Sequence, residues 1–207
     1  MIPASISEFE SILFNNETTA HGHVSCAFVC KRDMKERIRY YIIYIILTAA
    51  GILLDQYTKM WAVDALRGHE AIPVIPGILE LTYVENRGAA FGMMQGRQGF
   101  FLILTVIVSL GIVYMLIKVP VKRHMFPLIT CLVAVLSGAI GNLIDRTAHG
   151  YVVDFIYFKP VDFPVFNVAD IFVTCGMIML MLLLLFYYKD ADLEWARKKN
   201  DPDKGQL

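Results

Sequence analysis

The sequence contains few charged residues, few cysteines and no C-x-x-C motif. Only 18% of its 207 residues are charged, and its four cysteines form no C-x-x-C pair. It also offers no histidine or cysteine spacing typical of a metal site. These absences argue against a water-soluble domain, a disulfide framework and a zinc site. The net charge of zero indicates no particular partner, and we expect neither a nucleic-acid partner nor a cofactor.

Long apolar runs are present instead, in a chain that is 57% hydrophobic with a mean hydropathy of +0.54. A bilayer core of about 30 Å requires roughly 20 apolar helical residues. Four runs satisfy this requirement, at about residues 40–61, 99–117, 125–144 and 168–188. The middle two contain no charged residue. The pattern predicts a membrane all-α protein with four transmembrane helices.

The sequence divides into a predicted membrane domain and one further segment on each side of it. Residues 1–33 are polar and mixed, and we assign no role to this N-terminal extension. Residues 34–190 form the predicted membrane domain, whose first span is too long for a cleaved secretory leader. Residues 191–207 form a charged tail.

Lysine and arginine alternate in number from one connection to the next. Thirteen lie before the first span, between the second and third, or after the fourth: Lys31, Arg32, Lys35, Arg37, Arg39, Lys118, Lys122, Arg123, Lys189, Arg197, Lys198, Lys199 and Lys204. The other two connections hold five: Arg67, Arg87, Arg97, Arg146 and Lys159. By the positive-inside rule, both termini are cytoplasmic, and the loops at about 62–98 and 145–167 face outward.

Polar residues of the spans cluster at the outward ends. The helix-spaced pairs are Asp55 with Lys59, Asn142 with Asp145, and Asn167 with Asp170. The outward loop adds Asp154 in "GYVVDFIYF". An aspartate at the centre of a membrane helix costs about 2.5–3.5 kcal/mol, and less near the interface. A single such residue is tolerable, whereas a cluster at one level suggests a function.

Each pair also has a structural interpretation. Asn167 and Asp170 are also consistent with a helix N-cap followed by an acidic residue in the first turn. The Asp55 and Lys59 pair reads as a helix-surface ion pair, and Asp145 beside Arg146 as an interfacial one. Asp154 is harder to explain in this way, because its neighbours are apolar, so we expect it to have an assigned partner.

Two aspartates within hydrogen-bond distance cannot both be ionised in a partly dehydrated site, so Asp154 and Asp170 would share one proton. This is the aspartic-protease arrangement, in which the ionised partner deprotonates water and the protonated one polarises a carbonyl. The alternative is a small proton- or ion-coupled transporter, which also uses intramembrane carboxylates. A relay needs acidic groups at several depths, whereas no Asp or Glu lies in the inner half of a predicted span.

The outward segment "ILELTYVENRGAAFG", residues 78–92, alternates apolar and polar residues and then breaks at "NRG". This predicts a strand and a turn. A small sheet over the outward face would form a cleft, and an extended peptide could add to its edge.

Four motifs together resemble the lipoprotein signal peptidase family, also called signal peptidase II, in the order of the chain from residue 34 to about 190. They are "LLDQYTKMW" (53–61), "VENRGAAFG" (84–92), "GAIGNLIDRTAHGYVVDFI" (138–156) and "FPVFNVAD" (163–170). The combination is far more specific than a single N-x-x-D.

The resemblance implies a fold, an activity and a location. The implied fold is four transmembrane helices with a small extracytoplasmic β-sheet. The implied activity is that of an aspartic endopeptidase of the bacterial cytoplasmic membrane, with its site at the outer interface. It would remove signal peptides from diacylglyceryl-modified prolipoproteins by cutting before the lipidated cysteine. Membrane lipids and globomycin-type peptide inhibitors would be further partners.

The resemblance also implies the site residues. The catalytic pair would be Asp154 and Asp170. Residues that support the site or bind substrate would be Asp55, Lys59, Asn86, Gly88, Asn142, Asp145, Arg146, Asn167 and Ala169.

Overall fold

Helices dominate the computed structural model, which describes residues 6–88 and 98–197. Four long helices lie in these ranges: α1 (Ile6–Leu66), α2 (Gln98–Lys118), α3 (Phe126–His149) and α4 (Val168–Leu182). Shorter helical segments are Arg123–Met125, Lys159–Val161, the π-helix Leu183–Tyr187, Asp190–Leu193 and α5 (Glu194–Arg197). The chain divides into two units, Met1–Ile43 and Tyr44–Leu207, of which the first is helical from Ile6 onward.

The apolar runs fold as helices. Among the described residues, three helical segments are long and apolar enough to cross a membrane: Arg37–Leu66, Arg123–His149 and Val168–Tyr187. The apolar part of α2, Leu102–Lys118, falls short of that length. The predicted helical architecture is confirmed in this form, while the fourth membrane crossing stays a prediction.

Two helices extend beyond the C-terminal ends of the apolar runs that predicted them. The predicted ends were Trp61 and Ile144, whereas α1 reaches Leu66 and α3 reaches His149. Helix geometry depends on backbone hydrogen bonds, so a charged residue ends an apolar run without ending the helix. After α3 comes Gly150, whose φ of 76° closes the last turn with a hydrogen bond to the Arg146 carbonyl.

Helix α3 forms the centre of the second unit. It packs against both α2 and α4, and all of its residues from 131 to 146 are buried or half-buried. Helix α1 approaches it at Gly51, where an added Cβ would lie 2.8 Å from the Ser137 Cβ. The Ser137 hydroxyl also lies 3.3 Å from the Thr48 carbonyl oxygen of α1. Small residues thus bring the helix backbones close together.

The described residues also form a three-stranded antiparallel sheet. Its strands, in the order β1-β2-β3, are β1 (Ile72–Ile75), β2 (Leu79–Asn86) and β3 (Val152–Phe158). Branched and aromatic residues favour these strands. Strand β2 confirms the strand predicted within residues 78–92. A buried cluster of Ala62, Leu66, Val153 and Phe155 packs the sheet against the end of α1. The C-terminal ends of α1 and α3 therefore meet the sheet.

Part of the predicted loop after β2 lies outside the described residues, including Gly92 and Arg97. The side chains of Cys26 and Cys30 are also outside them. Of the other cysteines, Cys131 is buried and Cys175 is exposed, and both are free thiols.

We predict that Gly138→Ala destabilises the protein by about 1–3 kcal/mol. The added methyl group would meet the Ala169 carbonyl oxygen well inside contact distance and the Val173 Cγ2 at 2.8 Å, so α3 and α4 would have to separate. Thermal unfolding in detergent measures the change. The matched control is Gly111→Ala in α2, where nothing lies within 4 Å of the added carbon. It should be neutral or stabilising by about 0.5–1 kcal/mol. Equal melting temperatures for the two variants would contradict the prediction.

Candidate active site

A cavity of about 430 Å³ lies where β2, β3, α3 and α4 meet. Five of the predicted site residues line it: Asn86, Gly88, Arg146, Asp154 and Asp170. The remaining wall is Phe163, Pro164, Val165, Phe166, Ile171, Thr174 and Cys175. The two aspartates singled out from the sequence thus line one mostly apolar cavity.

Asp154 reaches this cavity from the sheet. It is only 2% exposed and lies opposite Val84 in the pairing of β2 with β3. Its two carboxylate oxygens accept hydrogen bonds from the Asn86 Nδ2 at 2.8 Å and the Asn167 Nδ2 at 2.6 Å. Asn86 is itself fixed by the Gly88 backbone N–H, which donates to its Oδ1 at 3.0 Å. The expectation that Asp154 has an assigned partner is confirmed.

Asp170 belongs to a capping box at the start of α4. Its backbone N–H donates to the Asn167 Oδ1 at 3.0 Å, and its Oδ2 accepts from the Asn167 N–H at 3.2 Å. Its Oδ1 accepts from the Asn142 Nδ2 at 2.8 Å. The capping interpretation of these two residues is confirmed, and Asp170 nevertheless lines the cavity.

Asn167 connects the two aspartates. Its side chain is fully buried, at 0% exposure, and its Nδ2 bonds Asp154 while its backbone N–H bonds Asp170. The same Nδ2 also lies 3.2 Å from the Asn142 Oδ1 and 3.2 Å from the Val153 carbonyl oxygen. A single residue therefore sets the position of both carboxylates.

A buried ionic layer supports these asparagines. The Lys59 Nζ lies 2.8 Å from the Asp55 Oδ2, 3.0 Å from the Asp145 Oδ2 and 2.8 Å from the Asn142 Oδ1. Asp55 and Lys59 are 0% and 3% exposed, so the prediction of a helix-surface pair is wrong. Their helix face packs against α3 rather than facing solvent, because Asp145 and Asn142 supply further partners for the ammonium group.

Asp55 also reaches α4. Its Oδ1 accepts a hydrogen bond from the Ala169 backbone N–H at 2.9 Å, which satisfies one of the free donors in the first turn of α4. Ala169 is itself fully buried. Gly141 provides the room for this contact, since a side chain there would collide with the Asp55 carboxylate.

Asp145 is fixed between a helix and the sheet. Its Oδ2 accepts from the Val153 backbone N–H of β3 at 3.2 Å, next to Asp154 in the chain. These contacts and the Lys59 ion pair replace the interfacial pair with Arg146 that the sequence suggested. Arg146 instead lines the cavity, with its Nη1 3.4 Å from the Asn142 carbonyl oxygen.

The surroundings of Asp154 favour its protonated form. Burial and, to a smaller extent, the negative charge of Asp170 raise its pKa from the ordinary value of 3.8 to about 7. Hydrogen bonds from Asn86 and Asn167 act in the opposite direction. At neutral pH the pair therefore retains a proton on a substantial fraction of molecules.

Sequence reasoning missed Gln56 and the apolar wall. The Gln56 Nε2 lies 3.0 Å from the Asp145 Oδ1, 3.2 Å from the Asp55 Oδ2 and 3.2 Å from the Gly141 carbonyl oxygen. Its position beside Asp55 and three residues before Lys59 was the available signal.

In residues 6–88 and 98–197, no group of three or more histidine, cysteine or acidic side chains is arranged to hold a metal ion.

Comparisons with known proteins identify the family. A family profile described as signal peptidase (SPase) II matches residues 47–186. A lipoprotein signal peptidase of Caldanaerobacter subterraneus is 48% identical over 69% of this chain and 95% of its own length. The lipoprotein signal peptidase of Clostridioides difficile is 40% identical over 70% of this chain and 97% of its own.

Solved structures agree with this assignment. Two bacterial membrane enzymes, determined by the in meso method at 2.3 and 1.9 Å resolution, superimpose with a TM-score of 0.62. The first is 33% identical to this chain, and the match covers 72% of this chain and 92% of its own. The second is 34% identical, and the match covers 70% of this chain and 94% of its own. Nothing in these comparisons supports a transporter. The chain belongs to the signal peptidase II family, membrane proteases that process lipoprotein precursors.

Proposed function

We propose that Asp154 and Asp170 are the catalytic residues of this peptidase. The observation that carries the proposal is their placement on one cavity, with Asn167 bonded to both carboxylates. A shared wall gives one water molecule access to both groups. We assign the acid role to Asp154, whose pKa is raised to about 7, and the base role to Asp170.

In the mechanism, one aspartate takes up a proton while the other gives one up. Asp170 takes a proton from water, whose oxygen attacks the scissile carbonyl carbon, while Asp154 donates its proton to the carbonyl oxygen. Collapse of the tetrahedral intermediate breaks the C–N bond, and the proton held by Asp170 passes to the leaving amine. That amine is the α-amino group of the lipidated cysteine. At the same time Asp154 takes back a proton from a hydroxyl group of the intermediate, which becomes the new carboxyl group. Both aspartates thereby return to their starting protonation states.

The other polar residues support this pair. Asn142 and Asn167 orient the two carboxylates through the hydrogen bonds already described. Asp55, Lys59, Asp145 and Ala169 form the buried layer beneath them. Among the residues that line the cavity, Asn86 and Gly88 fix Asp154 from the sheet side, and the Arg146 guanidinium provides donors for substrate carbonyl groups.

We propose that α1 to α4 each cross the bacterial cytoplasmic membrane, with both termini in the cytoplasm. The asymmetry of lysine and arginine supports this orientation. The sheet then lies on the outer face, and the membrane peptidase domain covers residues 34–190. Residues 1–33 are an extension, and residues 191–207 are a cytoplasmic tail.

The substrates would be diacylglyceryl-modified prolipoproteins. A cysteine held in the outer leaflet by two acyl chains keeps the adjacent peptide bond near the interface. The outward ends of α3 and α4 are at this depth in the proposed orientation. The apolar cavity wall suits the signal-peptide side of the bond and also suits globomycin-type peptide inhibitors, while membrane lipids contact the exposed helix faces.

We expect Asp154→Asn and Asp170→Asn each to reduce cleavage of a lipidated prolipoprotein by about 10²–10⁴-fold or more, because each removes the acid or the base. Gel-shift cleavage assays with the purified variants measure this effect. Either variant retaining substantial cleavage would refute the assignment.

The same variants provide a folding control. Since the folded pKa of Asp154 is raised, its carboxyl group stabilises the fold at low pH and this contribution is lost as pH rises through about 7. Asp154→Asn should therefore melt at or above the wild-type temperature at pH 8.

Cleavage activity should depend on pH with a bell-shaped profile. It falls at acid pH as Asp170 becomes protonated, and it falls above about 7 as Asp154 loses its proton. Asn86→Ala should move the alkaline limb to higher pH, because the hydrogen bond from Asn86 lowers the pKa of Asp154. Initial rates from pH 4 to 10 test both statements. A profile without an acid limb, or an alkaline limb that moves downward in the variant, would contradict the shared-proton mechanism.

The orientation is tested by cysteine labelling in a background in which all four native cysteines are replaced by serine. A membrane-impermeant maleimide should label Glu70→Cys in intact cells with a permeable outer envelope. It should label Lys122→Cys only after the membrane is opened. The reverse pattern would invert the topology.

A further inference from the structure

A second cavity, of about 560 Å³, lies at the N-terminal end of α3, away from the sheet. It is formed by the segment before α3 and the segment after the π-helix, and its walls include Lys122, His124, Met125, Asp192 and Trp195. The aspartates of the proposed active site lie on none of these segments. The cavity is therefore separate from the peptidase site.

The acidic group of this cavity already has partners. The Asp192 Oδ2 lies 3.4 Å from the His124 Nε2 and accepts from the Lys189 backbone N–H at 3.0 Å. The other ring nitrogen of His124 lies 3.2 Å from the Tyr187 hydroxyl. In contrast, the Lys122 side chain is exposed and forms no ion pair within the described ranges. The cavity thus has one cation whose charge is not matched.

A hydrogen-bond donor is also left over. The Trp195 Nε1 is buried and has no hydrogen-bond partner in the described part of the chain. A buried N–H without an acceptor costs about 1–3 kcal/mol. An acceptor oxygen bound in the cavity next to Trp195 would remove this cost after a small movement of the indole ring.

An apolar helix surface precedes one wall of the cavity in the chain. Leu184, Leu185 and Phe186, in the π-helix that follows α4, are 43%, 65% and 82% exposed. In a membrane helix such side chains face acyl chains, and tryptophan and lysine are typical of the interface just beyond. A free anion needs none of this apolar surface, whereas a phospholipid uses both parts.

We propose that this cavity binds the headgroup of an anionic phospholipid, with Lys122 contacting the phosphate and the Trp195 N–H donating to a headgroup oxygen. The acyl chains lie along the exposed π-helix that follows α4. On the proposed orientation, the lipid belongs to the cytoplasmic leaflet. Binding is independent of Asp154 and Asp170, so it can fail while the peptidase assignment stands, and the reverse also holds.

The test uses Trp195 as a fluorescent reporter in the full chain carrying Trp61→Phe, because the sequence has only two tryptophans. Dihexanoyl phosphatidylglycerol, dihexanoyl phosphatidylcholine and inorganic phosphate are titrated separately into the detergent-solubilised protein. Phosphatidylglycerol should give a saturable change in Trp195 emission, and the other two should bind at least about tenfold more weakly. Lys122→Gln should weaken phosphatidylglycerol binding about tenfold, as expected for loss of a charged hydrogen-bond partner.

Lys118→Gln is the matched control, because Lys118 is a neighbouring exposed lysine that does not line the cavity and instead contacts the Tyr114 ring. It should leave binding unchanged. Native mass spectrometry of the chain with Trp61 intact gives a second measurement, in which retained phosphatidylglycerol should decrease for Lys122→Gln only. Equal binding of phosphatidylcholine, equal binding of inorganic phosphate, no saturable response, or an unchanged Lys122→Gln affinity would each overturn the proposal.

Discussion

The arrangement of the candidate site depends on one buried ammonium group. Lys59, on α1, is almost completely excluded from solvent and contacts two carboxylates and the Asn142 Oδ1 at 2.8–3.0 Å. A lysine desolvated to this extent requires such partners, since an unpaired buried charge is strongly destabilising. Because Lys59 donates to the oxygen of the Asn142 amide, the nitrogen of that amide is directed to Asp170. The charge of Lys59 on α1 thereby orients Asp170 on α4 through the uncharged amide of Asn142, which lies between them on α3.

The second carboxylate is positioned by different means. Asp154 lies on β3, opposite Val84 of β2. Asn86 is two residues beyond Val84, so its side chain lies on the same face of the sheet and reaches the Asp154 carboxylate. The capping box of α4 then supplies Asn167, whose side chain accepts from the Asp170 N–H and donates to the strand carboxylate. A local device for starting a helix thus also connects the sheet to the helix bundle. The raised pKa of Asp154 follows from this burial beside a second acid.

Local patterns were sufficient for local structure. The apolar runs predicted the helices, the alternation within residues 78–92 predicted β2, and the spacing of Asn167 and Asp170 predicted an N-cap. The same local reasoning was wrong for Asp55 and Lys59, because helical spacing indicates that two residues share a face but not what that face contacts. It missed Gln56 for a related reason: an amide carries no charge, and its bonds to Asp145 and Gly141 join positions 89 and 85 residues apart, respectively.

The sequence by itself determined the membrane-compatible composition, the helices, the strand pattern and, through four ordered motifs, the family. It also supplied the two aspartates, since few residue types perform acid and base chemistry beside a bilayer. Only the tertiary structure decided that these aspartates line one cavity, that Lys59 is buried and that Asn167 bonds both carboxylates. The physical reason is that burial and hydrogen bonding across distant segments depend on how helices and strands pack, whereas periodicity and capping are encoded within a few consecutive residues.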